Sequence, residues 1–412
     1  MGVTSTFLTP TIIAKEALMM LENNMVAGMN VYREYKNEFV KIGNTVTIRA
    51  PVKFTATKAR TRTSTTITEN SVTLTCSTQV HVSWDFTTAD LKMTIDDYSN
   101  RYITPATNTL ANYIDADVCG QWKYFYNEVY ESTGFVTPSS FMVLGKAGQR
   151  LDEEAAPQGD RVILLNPAAN WSMANALTSL YVQSMAEAAL KKGYLGTIAG
   201  FDIFMDQNIA NQVVGAFSTA TTGIVITGTG TQQGTTLTLG SFQITGSQIL
   251  KVGDVFTIAS VYAVNPVSGA STGVLRQFVV TADASCAVAA TTSGANVTVY
   301  ISPEIIDTGP YKTVDSTPAL GAVVTVVGTA GMTIPQNLAI HKNAIALVVV
   351  PLDVPSGCWG ARATNKQTGL SIRVIKDYDI SSDTEICRMD VLYGIKTINP
   401  ALGCRIAGKA QT

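Results

Sequence analysis

Thr222-Gly223-Ile224-Val225-Ile226-Thr227, Thr235-Thr236-Leu237-Thr238-Leu239, Val255-Phe256-Thr257-Ile258-Ala259, Arg276-Gln277-Phe278-Val279-Val280-Thr281 and Asn296-Val297-Thr298-Val299-Tyr300-Ile301 follow one another with Gly-rich turns between them. Each is short and either alternates or runs apolar, the signature of a strand. They lie in a stretch, Phe217 to Ile340, whose 124 residues hold only eight charged side chains: Lys251, Asp254, Arg276, Asp283, Glu304, Asp307, Lys312 and Asp315. Short strands without an intervening helix predict a small β-barrel or sandwich over 222–335. On either side the texture differs. Val162-Ile163-Leu164-Leu165 and Phe201 to Met205 read as buried strands among helices, and Ile345 to Val350 resumes that pattern. The all-β stretch therefore reads as a domain inserted into an α+β core.

Working outward toward the N-terminus, Pro138 to Ala156 reads as a helix, Asn166-Pro167 caps and starts another, and Ser184 to Lys192 makes a further helical stretch closed by Gly193. Thr104-Pro105 begins a long helix predicted to reach about Tyr130, with Leu110, Ile114, Val118, Trp122, Phe125 and Val129 at three- to four-residue spacing. Thr45 to Thr78 alternates and predicts a long hairpin with a Thr-rich tip. It carries Arg49, Lys53, Lys58, Arg60 and Arg62 against Glu69, so it is basic within a nearly neutral chain. Residues 11–26 suit a short amphipathic helix bearing Lys15, Glu16 and Glu22, an arm expected to gain order from neighbouring chains and to be removable without loss of the fold. Toward the C-terminus, Leu370 to Ile380 and Glu385 to Thr397 read as long strands and Gly403 to Thr412 as an exposed tail.

The chain has 412 residues, 46% hydrophobic but only 15% charged, with a net charge of −2. Soluble monomers carry roughly 25% charged residues, and subunit interfaces are depleted of charge, so self-assembly is the first expectation. A neutral chain has no global field to attract nucleic acid or an anionic membrane. The longest apolar run, Ala344 to Leu352, is too short to span a bilayer, and Met1 to Thr6 lacks the charged leader of a secretory signal. Folding in a cytoplasm is expected. There Cys76, Cys119, Cys286, Cys358, Cys387 and Cys404 read as buried thiols. His81 and His341 lack the spacing of metal ligands, so neither a metal nor another cofactor is expected.

Catalytic motifs are weak. Gly269-Ala270-Ser271-Thr272-Gly273 matches the G-x-S-x-G elbow, but that motif requires a helix after the serine and a strand-like segment follows here. Gly228-Thr229-Gly230-Thr231-Gln232-Gln233-Gly234 misses the dinucleotide spacing and reads as a turn. His341 reads as a packed histidine, and Asp96-Asp97, Asp115/Asp117 and Asp152-Glu153-Glu154 as solvated carboxylates.

The order of parts, taken with Ala199-Gly200-Phe201-Asp202, Ser218-Thr219-Ala220-Thr221-Thr222-Gly223-Ile224, Lys251-Val252-Gly253-Asp254, Asn337-Leu338-Ala339-Ile340-His341-Lys342-Asn343-Ala344 and Leu392-Tyr393-Gly394-Ile395-Lys396, resembles the major capsid proteins of P22-like tailed bacteriophages. The resemblance implies an α+β HK97-type capsid fold. Its parts would be an N-terminal arm (1–44), an E-loop hairpin (45–80) and a P-domain (81–137) with a spine helix over 105–130. An A-domain (138–221 and 336–372) would be interrupted by the inserted β-domain (222–335), and closing P-domain strands with a C-terminal tail (373–412) would follow. It implies a shell of pentamers and hexamers built with a scaffolding protein and a portal. Double-stranded DNA would be enclosed without sequence-specific binding, in a virion assembled in the host cytoplasm. The E-loop basic residues would meet an adjacent subunit, and Lys15, Glu16 and Glu22 a scaffold or neighbour. Hairpin Thr227 to Leu239 departs from relatives with a longer charged loop that tethers capsomers. Two rivals remain: an HK97-type nanocompartment shell and a serine hydrolase using Ser271.

Overall fold

The computed structural model describes residues 10–37, 45–54, 60–61, 69–87, 99–131, 135–178, 195–217, 223–228, 232–242, 246–286, 295–380 and 384–408. The chain divides into two units: one holds Met1–Arg49, Ser71–Val118 and Ile345–Ile398, the other Ala50–Asn70, Cys119–Ala344 and Asn399–Thr412.

In the first unit the strands Ile345–Val350, Thr384–Thr397, Ser371–Asp379 and Trp359–Thr364 form a sheet, and Thr78–Thr87 pairs along Thr384–Thr397 over ten residues. The hairpin stem is Thr45–Arg49 against Ser71–Thr75. Its apolar face, Ile48 and Leu74, packs on Cys76, Ala346 and Val348, which leaves the threonines and Arg49 outward. Helix α1, Pro10–Asn24, buries Ile13, Ala14, Ala17, Leu18 and Leu21. Its Glu22 accepts hydrogen bonds from Asn365 Nδ2 (2.8 Å) and Thr368 Oγ1 (2.5 Å). The arm expected to depend on neighbours thus has its packing partner within the chain, because one stripe of the helix is apolar enough to be buried there.

Helix α2, Thr104–Cys119, is shorter than the spacing predicted. It stops where Gly120 opens a 3-10 turn, Gly120–Tyr124. The apolar positions beyond continue as a strand, Asn127–Tyr130. Thr104 is the first residue of α2 and follows a π-helical turn, Ser99–Ile103.

The second unit layers a six-stranded sheet between helices and a barrel. The sheet order is Asn127–Tyr130, Gly403–Ala407, Gln336–His341, Arg161–Leu165, Phe201–Met205 and Thr197–Ile198. Helices α3, Phe141–Glu153, and α4, Pro167–Thr178, cover one face through Val143, Leu144, Ala147, Leu151, Ala169 and Met173. Asn166 Oδ1 accepts from the Ala169 N–H (2.7 Å), the cap expected from sequence. The expected exposed tail is a correction. Gly403–Ala407 is wholly buried inside this sheet, because Cys404 and Ile406 pack under α3 while Arg405 finds a carboxylate partner on the other face. Ser184 to Lys192, Asp96, Asp97, Lys58 and Arg62 lie outside the described residues.

The closed barrel runs Gly234–Phe242, Ala295–Ile305, Ser271–Val280, Val255–Val264, Val323–Val326 and Ile224–Ile226 around a core of Leu237, Leu239, Phe256, Phe278, Val299 and Ile301. The Phe256 and Phe278 rings stack with centroids 5.8 Å apart. The chain enters and leaves the barrel as an antiparallel pair, Gln212–Val213 against Thr333–Ile334.

Candidate assembly surface and the seat of the barrel

Of the basic hairpin residues described, Arg49, Lys53 and Arg60 are exposed, as is Glu69. The Lys53 backbone N–H donates to the Tyr311 hydroxyl at 3.4 Å. The stem's inner face, Ile48 and Leu74, is apolar and buried, while Arg49 on the stem is exposed. On α1, Lys15 is exposed and Glu16 partly buried, but Glu22 is already held by Asn365 and Thr368.

The acidic residues read as solvated are mostly engaged. Asp115 is 1% exposed and accepts from the N–H groups of Val26 (2.7 Å) and Gly28 (2.8 Å), which ties the segment after α1 to α2. Asp117 accepts from the Tyr393 hydroxyl (2.6 Å), and burial followed by this contact pushes the Tyr393 phenol up. Asp152 pairs with Arg161 (2.6 Å), Glu153 with Arg150 (3.1 Å) and Glu154 with Arg276. Apart from Glu153, whose partner lies one turn back on the same helix, these carboxylates sit where chain segments cross, so the local sequence around them looks like surface. Asp115→Asn should remove one of two charge-assisted acceptors and cost about 1–3 kcal/mol in unfolding free energy. An unchanged denaturation midpoint would discount the staple.

Ser271 heads the Ser271–Val280 strand, so it does not sit at the strand-to-helix elbow that a hydrolase nucleophile needs. His341 ends the Gln336–His341 strand at 5% exposure, and its Nδ1 accepts from the Asn343 N–H (3.2 Å); burial pushes it down from the usual histidine range. Among the described residues no three His, Cys, Asp or Glu side chains are grouped to hold a metal, and no helix is long and apolar enough to cross a membrane.

A polar constellation the sequence reading missed lies between barrel and sheet. Arg405, fully buried, points away from α3 and donates through Nη2 to Glu128 Oε2 (3.1 Å). Its Nη1 donates to the Gly253 carbonyl (2.8 Å) and to Gln212 Oε1 (3.1 Å). Its guanidinium lies 5.5 Å from the Trp122 ring centre. Gly253 has φ +98°, and a Cβ there would meet Trp122 at 2.7 Å, so glycine is needed for both the turn and the close approach. From the barrel, Gln277 pairs its amide with both backbone groups of Glu128: Oε1 accepts from N–H (2.9 Å) and Nε2 donates to C=O (3.0 Å). That side chain continues the hydrogen-bond ladder beyond the edge strand and blocks a further strand from adding there. Arg276 pairs with Glu154 while stacking 4.6 Å from the Tyr126 ring centre. Buried charges with partners on separate elements fix geometry more than they add stability. The faint sequence signal is single charged residues inside apolar strands, Glu128 in Asn127-Glu128-Val129-Tyr130 and Arg405 in Gly403-Cys404-Arg405-Ile406-Ala407.

Compared with known proteins, residues 3–408 match the family described as "P22 coat protein - gene protein 5". Among solved structures, a chain described as Mycobacterium phage Che8 is 14% identical, with coverage of 93% of this chain and 90% of that one and a TM-score of 0.50. The capsid of Ralstonia phage GP4 is 9% identical over 94% of this chain and 89% of that one, TM-score 0.46. No curated protein matches by sequence.

Proposed function

The chain belongs to the P22 coat protein family and is a major capsid protein that forms a phage shell with copies of itself, and we propose that it does so as an HK97-type subunit whose β-barrel is a domain inserted in the axial core. The single observation behind the insertion is the pairing of Gln212–Val213 with Thr333–Ile334, which brings the entry and exit of the barrel side by side. The hairpin over 45–80 then acts as the E-loop, the sheet built around Thr384–Thr397 as the P-domain, and the six-stranded sheet as the A-domain. The shell is icosahedral, made of pentamers and hexamers, and it encloses double-stranded DNA without reading its sequence, in keeping with a net charge of −2. A scaffolding protein and a portal take part, and assembly takes place in the host cytoplasm. A family of structural proteins supports a role without catalysis.

Electron microscopy of the purified protein tests the whole reading, with closed shells expected and unassembled monomers under all conditions opposing it. The E-loop role has its own test. Charge reversal at Arg60 and Arg62 should leave soluble subunits and few shells, because contacts of about 0–1 kcal/mol each are repeated in every copy. Shells at low salt in normal yield would rule this role out. For the insertion, residues 222–335 alone should give a β-rich circular dichroism spectrum and a cooperative melt. An unfolded fragment, where the full chain is soluble, would argue for a barrel that is only part of a larger core.

A further inference from the structure

Two exposed patches of this chain complement each other in charge and in apolar character. Among the described residues, the large apolar side chains exposed by 70% or more are Ile380, Val267, Leu320 and Phe54. Exposed apolar groups that cluster beside charges mark surfaces that another molecule covers, and three of these four fall in the two patches.

The first patch, on the second unit, is built by the hairpin and the barrel together. Phe54 follows the exposed Lys53, whose N–H donates to the Tyr311 hydroxyl (3.4 Å). Lys312, next in sequence to Tyr311, is partly exposed and lies against the turn that carries Val267: its Cδ stands 4.0 Å from the place a Cβ would take on Gly269. The Gly269 N–H donates to the Asn265 carbonyl (2.8 Å) and closes that turn, which leaves Val267 at its tip. Two lysines and two apolar side chains thus share one surface.

The second patch, on the first unit, lies where Ser371–Asp379 turns back into Thr384–Thr397. Ile386 stands directly opposite Asp377 on one neighbouring strand and Asp85 on the other, so the three point from the same face of the sheet. All three are exposed, as are His81 and Ser83 along that face, while the alternate residues Cys387, Met389 and Val391 are buried on the other. Asp377 Oδ1 accepts from the Tyr378 N–H (2.9 Å), which sets its carboxylate without covering it. Glu385, on the opposite face, is already paired with Lys376. Ile380, beyond the strand end, completes a surface of two aspartates and two isoleucines.

The signs are opposite, each patch offers two apolar side chains, and both are exposed in the single subunit. These features select another copy of this chain as the occupant. We propose that Lys53, Phe54, Val267 and Lys312 of one subunit dock on the Asp85, Asp377, Ile380 and Ile386 surface of the next, lysines against aspartates with the apolar side chains between them. Because the two patches differ, the contact is head to tail, and repeated around an axis it builds a ring. With a net charge of −2 on the chain, the attraction is local and orients the subunits. The proposal rests in part on the E-loop role proposed above, since Lys53 and Phe54 belong to that hairpin, and it adds the barrel as a second partner in the contact.

The test uses the full chain with three sets of substitutions: Asp85→Lys with Asp377→Lys, Lys53→Glu with Lys312→Glu, and all four together. Circular dichroism and melting should match the wild type, because the four side chains reach the surface. Light scattering and electron microscopy at low salt should show shell yield lowered about tenfold or more by each pair, and restored to within about twofold in the fourfold variant, whose charges are exchanged. Normal yield from either pair, or a fourfold variant no better than the pairs, would overturn the proposal. A second measurement needs no substitution. Carbodiimide coupling of an amine should label Asp85 and Asp377 in free wild-type subunits and spare them in shells; equal labelling in both would also overturn it. The E-loop role is separable. If charge reversal at Arg60 and Arg62 blocks shells while the aspartate pair assembles normally, that role stands and this docking falls. If Lys53→Glu alone assembles normally while Lys312→Glu and the aspartate pair do not, the E-loop role falls and the barrel's half of the docking stands.

Discussion

Arg405→Ala is expected to destabilise the second unit by about 3–5 kcal/mol, the cost of removing one partner from a buried ion pair. The guanidinium satisfies Glu128, Gln212 and the Gly253 carbonyl together, and all three become buried acceptors short of a donor. The effect should be measurable as a lowered urea midpoint. Amide exchange should rise first on the two sides of the seat, at Asn127–Tyr130 and Val255–Val264. Arg405→Lys should recover only part of the loss, since a point charge cannot fork to Glu128 and Gly253 in one plane. A cost under about 1 kcal/mol would show that water takes the place of the side chain.

The second large effect is expected in the other unit. Asp390, fully buried in the middle of Thr384–Thr397, accepts from Arg373 Nε (2.9 Å) and Nη2 (2.5 Å) and from Gln79 Nε2 (2.7 Å). This joins three strands side by side, since Arg373 and His81 stand opposite it in register. Asp390→Ala leaves Arg373 without its forked partner and should cost about 3 kcal/mol or more, with loss of exchange protection along Thr78–Thr87. If Arg373→Met together with Asp390→Ala restores the midpoint, the penalty came from the stranded charge; a double variant as unstable as the single one assigns it to packing.

Much of the architecture was legible because two periodicities carry it. Phe201 to Met205 and Ile345 to Val350 are strands at the residues predicted, and the alternating stretches of 222–335 close into one barrel. The misses have a common cause. Trp122, Phe125 and Val129 continue the spacing of a helix, yet Gly120 breaks it and Val129 pairs in a strand beside Ile406, more than 250 residues along the chain. Arg405 and Asp115 looked like surface because charge in a local window says nothing about a partner brought by distant chain. For the candidate assembly surface the sequence showed which hairpin is basic. It did not show that Glu22 serves its own chain, because Asn365 and Thr368 are its neighbours only in the fold.

The place of Gly403–Ala407 has a consequence for how the protein is made. It lies between Asn127–Tyr130 and Gln336–His341, yet it leaves the ribosome after every other strand of its sheet. Until it emerges, Asn127–Tyr130 has no backbone partner in the sheet and Glu128 has no guanidinium. The growing polypeptide therefore leaves Asn127–Tyr130 unpaired through most of translation and the slot beside it open until the last strand emerges, and long-range closure of this kind is slow. Such a slot times assembly, since a subunit still on the ribosome cannot yet offer a finished second unit to a growing shell.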